Sequence, residues 1–293
     1  MDNKPKAIVF MLICAFAFSG VGAMVKLAGD VPVFEKVFFR NLVSLFVAIH
    51  MIRSNKALYW GKPENRKVLF ARAFLGLIGV IMYFYAISNL ILADSNMLNK
   101  LSPFFVTLFA SWFLKEKLSP IQIPALIVVF LGAMMIIKPE FNLSVLPALS
   151  GFGSAVTAGA AYTLVRYLKD REDPATIVFL FSFVSVLGTI PLVMMDFVVP
   201  TGTQLIFLIG TGVLAAIGQF ALTYAYKLAP AAEISIYNYF SILFSAMLGF
   251  FLWGEVPDTL SIFGGILVVL AALATFMYNN RRVAAQAVTN TES

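Results

Sequence analysis

The sequence is poor in nearly every residue that does chemistry in water. Charged residues fill 12% of its 293 positions, roughly half the share of an ordinary soluble domain, and there is one cysteine and one histidine. Cys14 alone excludes an internal disulfide, a Cys-x-x-Cys redox pair and a cysteine zinc site. His50 alone leaves no material for a multi-histidine metal centre and little for a histidine-based triad. No G-x-x-x-x-G-K-[ST] phosphate loop occurs, and no polar stretch is long enough to house a nucleotide-binding domain. Catalytic residues, metal and cofactors are therefore not expected. The net charge of +6 and pI near 9.4 are not gathered into a basic stripe with interleaved aromatics, so nucleic acid is not an expected partner.

What fills the sequence instead is apolar: 60% hydrophobic residues, 29 of them Phe, with a mean hydropathy of +0.90. A water-facing globule cannot hide that much, and the expected solvent is lipid. Apolar stretches of about 20 residues, the length that crosses a hydrocarbon core as helix, recur at 7–28, 33–52, 68–88, 92–114, 120–138, 146–168, 174–195, 203–226, 231–253 and 259–279. Lipid leaves no partner for exposed backbone, so ten transmembrane helices and an all-α integral membrane fold are expected. Pro32, Pro120, Pro174 and Pro257 stand near helix starts, where a missing N–H costs least. Lys4 and Lys6 before an apolar run with Ala15-Phe16-Ala17 admit a cleaved signal peptide. The run continues to Val25, however, and is read as a retained helix.

Charge placement supports the count. With the N-terminus in the cytoplasm, basic loop residues from Lys4, Lys6, Arg53 and Lys56 through Lys169, Arg171 and Lys227 to Arg281 and Arg282 fall inside, and Lys138 alone falls outside. This is the positive-inside pattern, which one missing span would invert downstream. A multi-pass protein of the cytoplasmic membrane with both termini cytoplasmic is expected, as a monomer or homodimer.

Sliding the chain on itself by 139 residues aligns Tyr85 with Tyr224, Ala86 with Ala225, Ala93 with Ala232, Asn99 with Asn238, Ser102 with Ser241, Phe105 with Phe244 and Glu116 with Glu255, with Asp94 opposite Glu233. Asn and Glu are rare in apolar runs, so their pairing marks a duplication. The expected repeats are 1–142 and 143–293, the second ending in a short cytoplasmic tail. Five spans is an odd number, so the second copy enters the membrane from the opposite side. Inverted repeats of this kind give secondary transporters two halves that exchange conformations around a midplane site.

Polar residues inside spans are the candidate substrate ligands. Asn96, Asn99, Lys100 and Pro103 share a helical face, and Asn238 and Tyr239 stand at the matching place in the second half. A lysine at this depth costs about 2.5–3.5 kcal/mol by insertion scales. Either Lys100 faces protein, water or substrate, or its long side chain snorkels to the surface. Tyr162 in the sixth span and Gln219, Thr223 and Tyr226 in the eighth extend the set. Tyr83 and the other tyrosines offer planar surfaces, although aromatics also serve as packing and interface anchors. Any one Ser or Thr is more readily explained by interhelical hydrogen bonding than by ligand contact. Asp94 and Glu233 open equivalent helices, where a carboxylate meets the positive helix end; a proton-coupling role is the alternative. Pro103, Glu116 and Glu255 are candidate gating residues, and Glu35 and Arg40, about one turn apart, an expected ion pair.

These residues resemble the EamA-type branch of the drug/metabolite transporter superfamily. The first half shows FFR at Phe38–Arg40, YA at Tyr85–Ala86, LSP at Leu101–Pro103 and EKLSP from Glu116 to Pro120; the second keeps Tyr224, Ala225, Ala229-Pro230-Ala231 and Glu255. The resemblance implies a five-plus-five inverted fold, a central cavity, and movement of a small metabolite such as an amino acid, amine or flavin, often outward. Substrate gradients or protons would drive it. Import of a planar solute such as riboflavin, or a membrane-embedded enzyme acting on lipid, are the alternatives. Ile242 where the first half has Pro103, and GEVPD in place of EKLSP, depart from equal gating roles.

Overall fold

In the computed structural model the described residues are 4–113, 115, 120–137, 145–168, 171–228 and 235–291, without the side chains of Lys4, Thr107, Thr223, Tyr226, Lys227, Ser235, Ile236 and 279–291. They form α1 (Lys4–Leu27), α2 (Val33–Asn55), α3 (Arg66–Asn89), α4 (Leu92–Asn99), α5 (Ser102–Phe113), α6 (Gln122–Ile137), α7 (Leu146–Leu168), α8 (Pro174–Met195), α9 (Gly202–Leu228), α10 (Phe240–Trp253) and α11 (Thr259–Thr291). Short 3-10 turns at Pro63–Asn65 and Ser235–Tyr239 lead into α3 and α10. Among the described residues, seven helical segments are long and apolar enough to cross a membrane: Pro5–Leu27, Val33–Asn55, Pro63–Asn89, Leu146–Leu168, Pro174–Met195, Gly202–Leu222 and Thr259–Tyr278. Gln122–Ile137 and Tyr237–Trp253 are shorter apolar helices. The protein is a multi-pass membrane protein.

Helix ends follow local chemistry. Gly29 takes a positive φ after α1, and Pro32 precedes α2. Asp173 caps α8 by accepting the Ala175 N–H at 2.7 Å, with Pro174 in the first turn. Gly254 closes α10 in the left-handed conformation, the usual device for ending a helix.

The fourth apolar run is not one helix. It breaks between Asn99 and Ser102, giving α4 and α5. Pro103 accounts for the break: without an N–H it cannot donate to the Asn99 carbonyl, and it sits instead in the first turn of α5, where a missing N–H costs least. Likewise the ninth run enters as a 3-10 turn before α10. The expected Glu35–Arg40 pair is absent. Five residues is about 1.4 turns, so the two side chains leave the helix on different faces. Glu35 accepts the Val198 N–H at 3.4 Å, and Arg40 donates to Asn41 Oδ1 at 2.7 Å.

The outer surface of the bundle is apolar and wide open, with Trp112 and Phe251 among many exposed large side chains, as lipid contact requires. Inside, α1 packs on α9 and α10, α2 on α8, α3 on α7, α4 on α10, α5 on α7 and α6 on α11. Small residues set the closest approach. At the α6–α11 crossing a Cβ on Gly264 would lie 2.5 Å from the Gly132 carbonyl oxygen, and one on Gly132 2.7 Å from that of Gly264. Backbone, not a movable side chain, fills the space. Close packing of this kind supplies much of helix association in lipid. Gly264→Leu should therefore destabilise the protein by about 1–3 kcal/mol, seen as a lower melting temperature in detergent. Unchanged melting would mean the two helices do not cross there.

Candidate functional site

Among the described residues, hydrogen-bonded polar groupings lie at each end of the apolar bundle and between the ends. The middle one is built from the two interrupted runs. The break after α4 leaves Lys100 as its C-terminal cap, with a φ of −70° and ψ of 0°. A cation there meets the negative end of the helix. Lys100 is only 8% exposed, and its Nζ donates to Asn238 Oδ1 at 3.2 Å. Tyr239 Oη donates to the Lys100 carbonyl at 3.5 Å. One turn back along α4, Asn96 Nδ2 donates to Ser245 Oγ at 2.6 Å while its Oδ1 accepts from Ser241 Oγ at 3.3 Å. Ser19 of α1 reaches the Ser241 carbonyl at 2.8 Å. Asn99 turns aside to Ser154 of α7, 3.4 Å away. Four helices thus meet through side chains where ordinary apolar packing would have been cheaper.

At the end where α1 stops, Lys26 and Glu255 form an ion pair, each side chain 16% exposed. Lys26 Nζ also donates to the Leu90 carbonyl at 2.8 Å and lies 5.3 Å from the Trp253 ring centre. The second Glu255 oxygen accepts the Leu92 N–H at 3.0 Å, so one carboxylate caps α4 and ties it to α1 and α10. Nearby, Asp94 in the first turn of α4 accepts from Ser261 Oγ at 3.2 Å, which links α4 to α11. The opposite end holds Glu172, whose Oε1 accepts from the Lys62 N–H at 2.9 Å and from Asn65 Nδ2 at 2.7 Å. Thr176 Oγ1 adds a bond to the Leu58 carbonyl at 2.7 Å. Glu172 drew no attention in the sequence because it sits in an ordinary polar break.

The residues singled out from the sequence are thus divided. Asn96, Lys100, Asn238 and Tyr239 come together, and Asn99 borders them. Pro103 is exposed at the start of α5, and Gln219 is exposed on α9. Tyr83 and Tyr162 stand elsewhere, within electrostatic reach of one another, with Tyr162 51% exposed. Glu116 and Glu233 lie outside the described residues, as do the side chains of Thr223 and Tyr226. No group of three potential metal-ligating side chains occurs among the described residues.

The geometry joins a polar centre to two polar clasps in an apolar, lipid-facing bundle, and known proteins share its sequence and shape. The EamA-like transporter family matches twice, over residues 5–138 and 145–277. The chain is 37% identical over 278 residues to a pseudopaline exporter, CntI, of Pseudomonas aeruginosa, spanning 94% of this chain and 97% of that protein. It is 29% identical over 206 residues to a riboflavin transporter of Vibrio cholerae, 68% of each. A solved crystal structure superposes with a TM-score of 0.67 at 16% identity, covering 95% of this chain and 99% of the other; that likeness concerns the fold.

Proposed function

This chain belongs to the EamA-like transporter family, and from that premise we propose that it is a secondary exporter of a small metabolite, working by alternating access between two inverted five-helix halves. Its proposed place is the cytoplasmic membrane, with both termini inside.

The contact of Lys100 with Tyr239 carries this reading. The two positions are equivalent in the internal repeat, 139 residues apart. A residue that touches its own equivalent lies near the axis relating the copies, and the site expected of inverted repeats lies where the halves meet. The packing order adds support. If α4 and α5 count as one run, exchanging each apolar run with the one five places on turns the α1–α9 pair into the α7–α3 pair and returns α2–α8, α6–α11 and α4–α10 to themselves. On this reading the Lys26–Glu255 clasp closes the outer end, the Glu172 bonds close the cytoplasmic end, and one is released at a time. Asp94 and Glu233 are proposed proton carriers, and Glu116 the inner counterpart of Glu255.

Export is favoured over uptake by the Pseudomonas relative, which matches along nearly its whole length and is named an exporter. A pseudopaline-like solute is accordingly the first to test. The Vibrio relative favours a second reading, riboflavin uptake. Comparing metabolites in medium and cells with and without expression, followed by counterflow in proteoliposomes, separates them. Enrichment in the medium is expected. Riboflavin gained inside the cells would reverse the direction, and no solute moving in either assay would overturn the proposal.

A further inference from the structure

Two arginines stand inside the bundle away from the Lys100 junction, and among the described residues neither is paired with a carboxylate. Arg72 of α3 lies with Cζ 4.2 Å from the ring centre of Phe181 on α8, and Arg40 of α2 with Cζ 5.3 Å from the same ring. The two guanidinium carbons are therefore no farther apart than the sum of those distances. Arg40 spends one bond on Asn41 Oδ1 at 2.7 Å. Arg72 spends none: its Nε and Nη1 are buried without a hydrogen-bond partner. Tyr162 lies within electrostatic reach of both, and each arginine within reach of the other.

The backbone makes room for this arrangement. A Cβ on Gly76, one turn beyond Arg72, would meet Arg72 Nη1 at 3.2 Å and the Phe181 ring at 2.9 Å. Ser182 and Ser185, beside and one turn beyond Phe181, are themselves buried with unpartnered hydroxyls. A cation over an aromatic ring is attracted to it, but a ring does not satisfy guanidinium N–H groups, and two like charges held close repel. Buried donors left without acceptors are costly and rare. What the cluster lacks is an acceptor carrying negative charge, and a planar guanidinium fork fits a carboxylate or phosphate oxygen pair.

We propose that Arg40 and Arg72, with Tyr162 and Tyr83 alongside, form the binding site for an oxyanion group, carboxylate or phosphate, of the transported solute. The pair occurs in one half only: 139 or 140 residues on, Phe179, Leu180, Thr211 and Gly212 offer no charge. The solute is thus held asymmetrically, its anionic end between α2, α3 and α8. The site rests on the transport reading for its purpose, yet binding is measurable without transport, so the two fail separately.

The test is thermal stability of the purified full-length protein in detergent with citrate, glutamate, inorganic phosphate or glucose 6-phosphate, against glutamine, glucose and sodium chloride at matched ionic strength. A ligand that binds the folded state raises its melting temperature. A rise of a few degrees with the carboxylates or with the phosphates, and none with the controls, is expected, and which pair acts decides the oxyanion. Arg72→Gln should melt no lower than wild type in anion-free buffer, because it removes an unpaired buried charge, and should lose the anion-dependent rise. Arg72→Lys keeps charge but loses the fork, and should bind roughly tenfold more weakly; it serves if the glutamine variant does not fold. No rise with any of the four anions, or a wild-type rise in Arg72→Lys, would overturn the proposal. Anion binding without transport would leave the site standing and sink the exporter.

Discussion

Lys100→Glu abolishes transport, with a loss of at least about 100-fold, while the protein still inserts and folds. The lysine is nearly buried, and its amine faces the Asn238 amide oxygen. Reversing its charge puts a carboxylate against Asn238 Oδ1 and against the negative end of α4, both repulsive. A hundredfold corresponds to about 2.7 kcal/mol of transition-state stabilisation, a modest demand on a charge in so dry a place. Lys100→Met separates ligand from scaffold. Among the described residues Lys100 has no carboxylate partner, so the change leaves no charge uncompensated and strands only the Asn238 amide oxygen, a cost of about 1–3 kcal/mol; melting should fall slightly while transport fails. Transport by Lys100→Met at the wild-type rate would leave Lys100 a packing residue.

Breaking the Lys26–Glu255 clasp has the second large effect, this time on stability. Lys26→Met leaves the Glu255 carboxylate in a mostly buried place with only the Leu92 N–H to satisfy it. Removing one partner of such a pair costs about 3–5 kcal/mol when burial is complete, and somewhat less at 16% exposure. The melting temperature in detergent should fall by several degrees. Lys26→Met combined with Glu255→Gln should recover much of that loss, since no uncompensated charge remains, and the non-additivity is the signature of a direct pair. Additive losses would mean that the two residues act apart. If the clasp closes one end of the transport path, either single variant should also expose Trp253 to water-borne quenchers, whereas unchanged quenching would separate stability from gating.

The helices were legible in the sequence because lipid makes length and apolarity nearly sufficient. The long runs around Cys14, His50, Phe84 and Phe181 all appear as helices spanning the bundle. The interruption at Lys100–Leu101 was legible only as a kink, since Pro103 marks a weak point without telling how far upstream the helix gives way. Asn96, Lys100, Asn238 and Tyr239 could be picked out as polar residues in apolar runs. That Lys100 meets Asn238 depends on how the end of α4 docks on the 3-10 turn before α10, which no local pattern encodes. The arginine pair was missed for the same reason. Glu35 is the nearest acid to Arg40 in sequence, and Arg72 has no acid within a turn on either side. A signal existed: residues three and four away from each arginine are Lys36, Val37, Val43 and Ser44, and Val68, Leu69, Leu75 and Gly76. None is acidic, so neither arginine has a helical counter-ion, and a charge without one inside an apolar run asks for a partner from elsewhere.

All of this depends on the two halves entering the membrane from opposite sides. Lys62 and Thr201 stand in corresponding breaks, just before the third and eighth apolar runs, and both are exposed. Lys62 lies at the start of α3 beside Glu172, whereas Thr201 precedes α9, near Gln204, whose Nε2 reaches the Ala28 carbonyl beyond α1 at 3.4 Å. Single cysteines at these positions, in a Cys14→Ala background, can be labelled in intact cells with a membrane-impermeant thiol reagent. Thr201→Cys should label in intact cells and Lys62→Cys only after permeabilisation; labelling of both under the same condition would contradict the inverted arrangement.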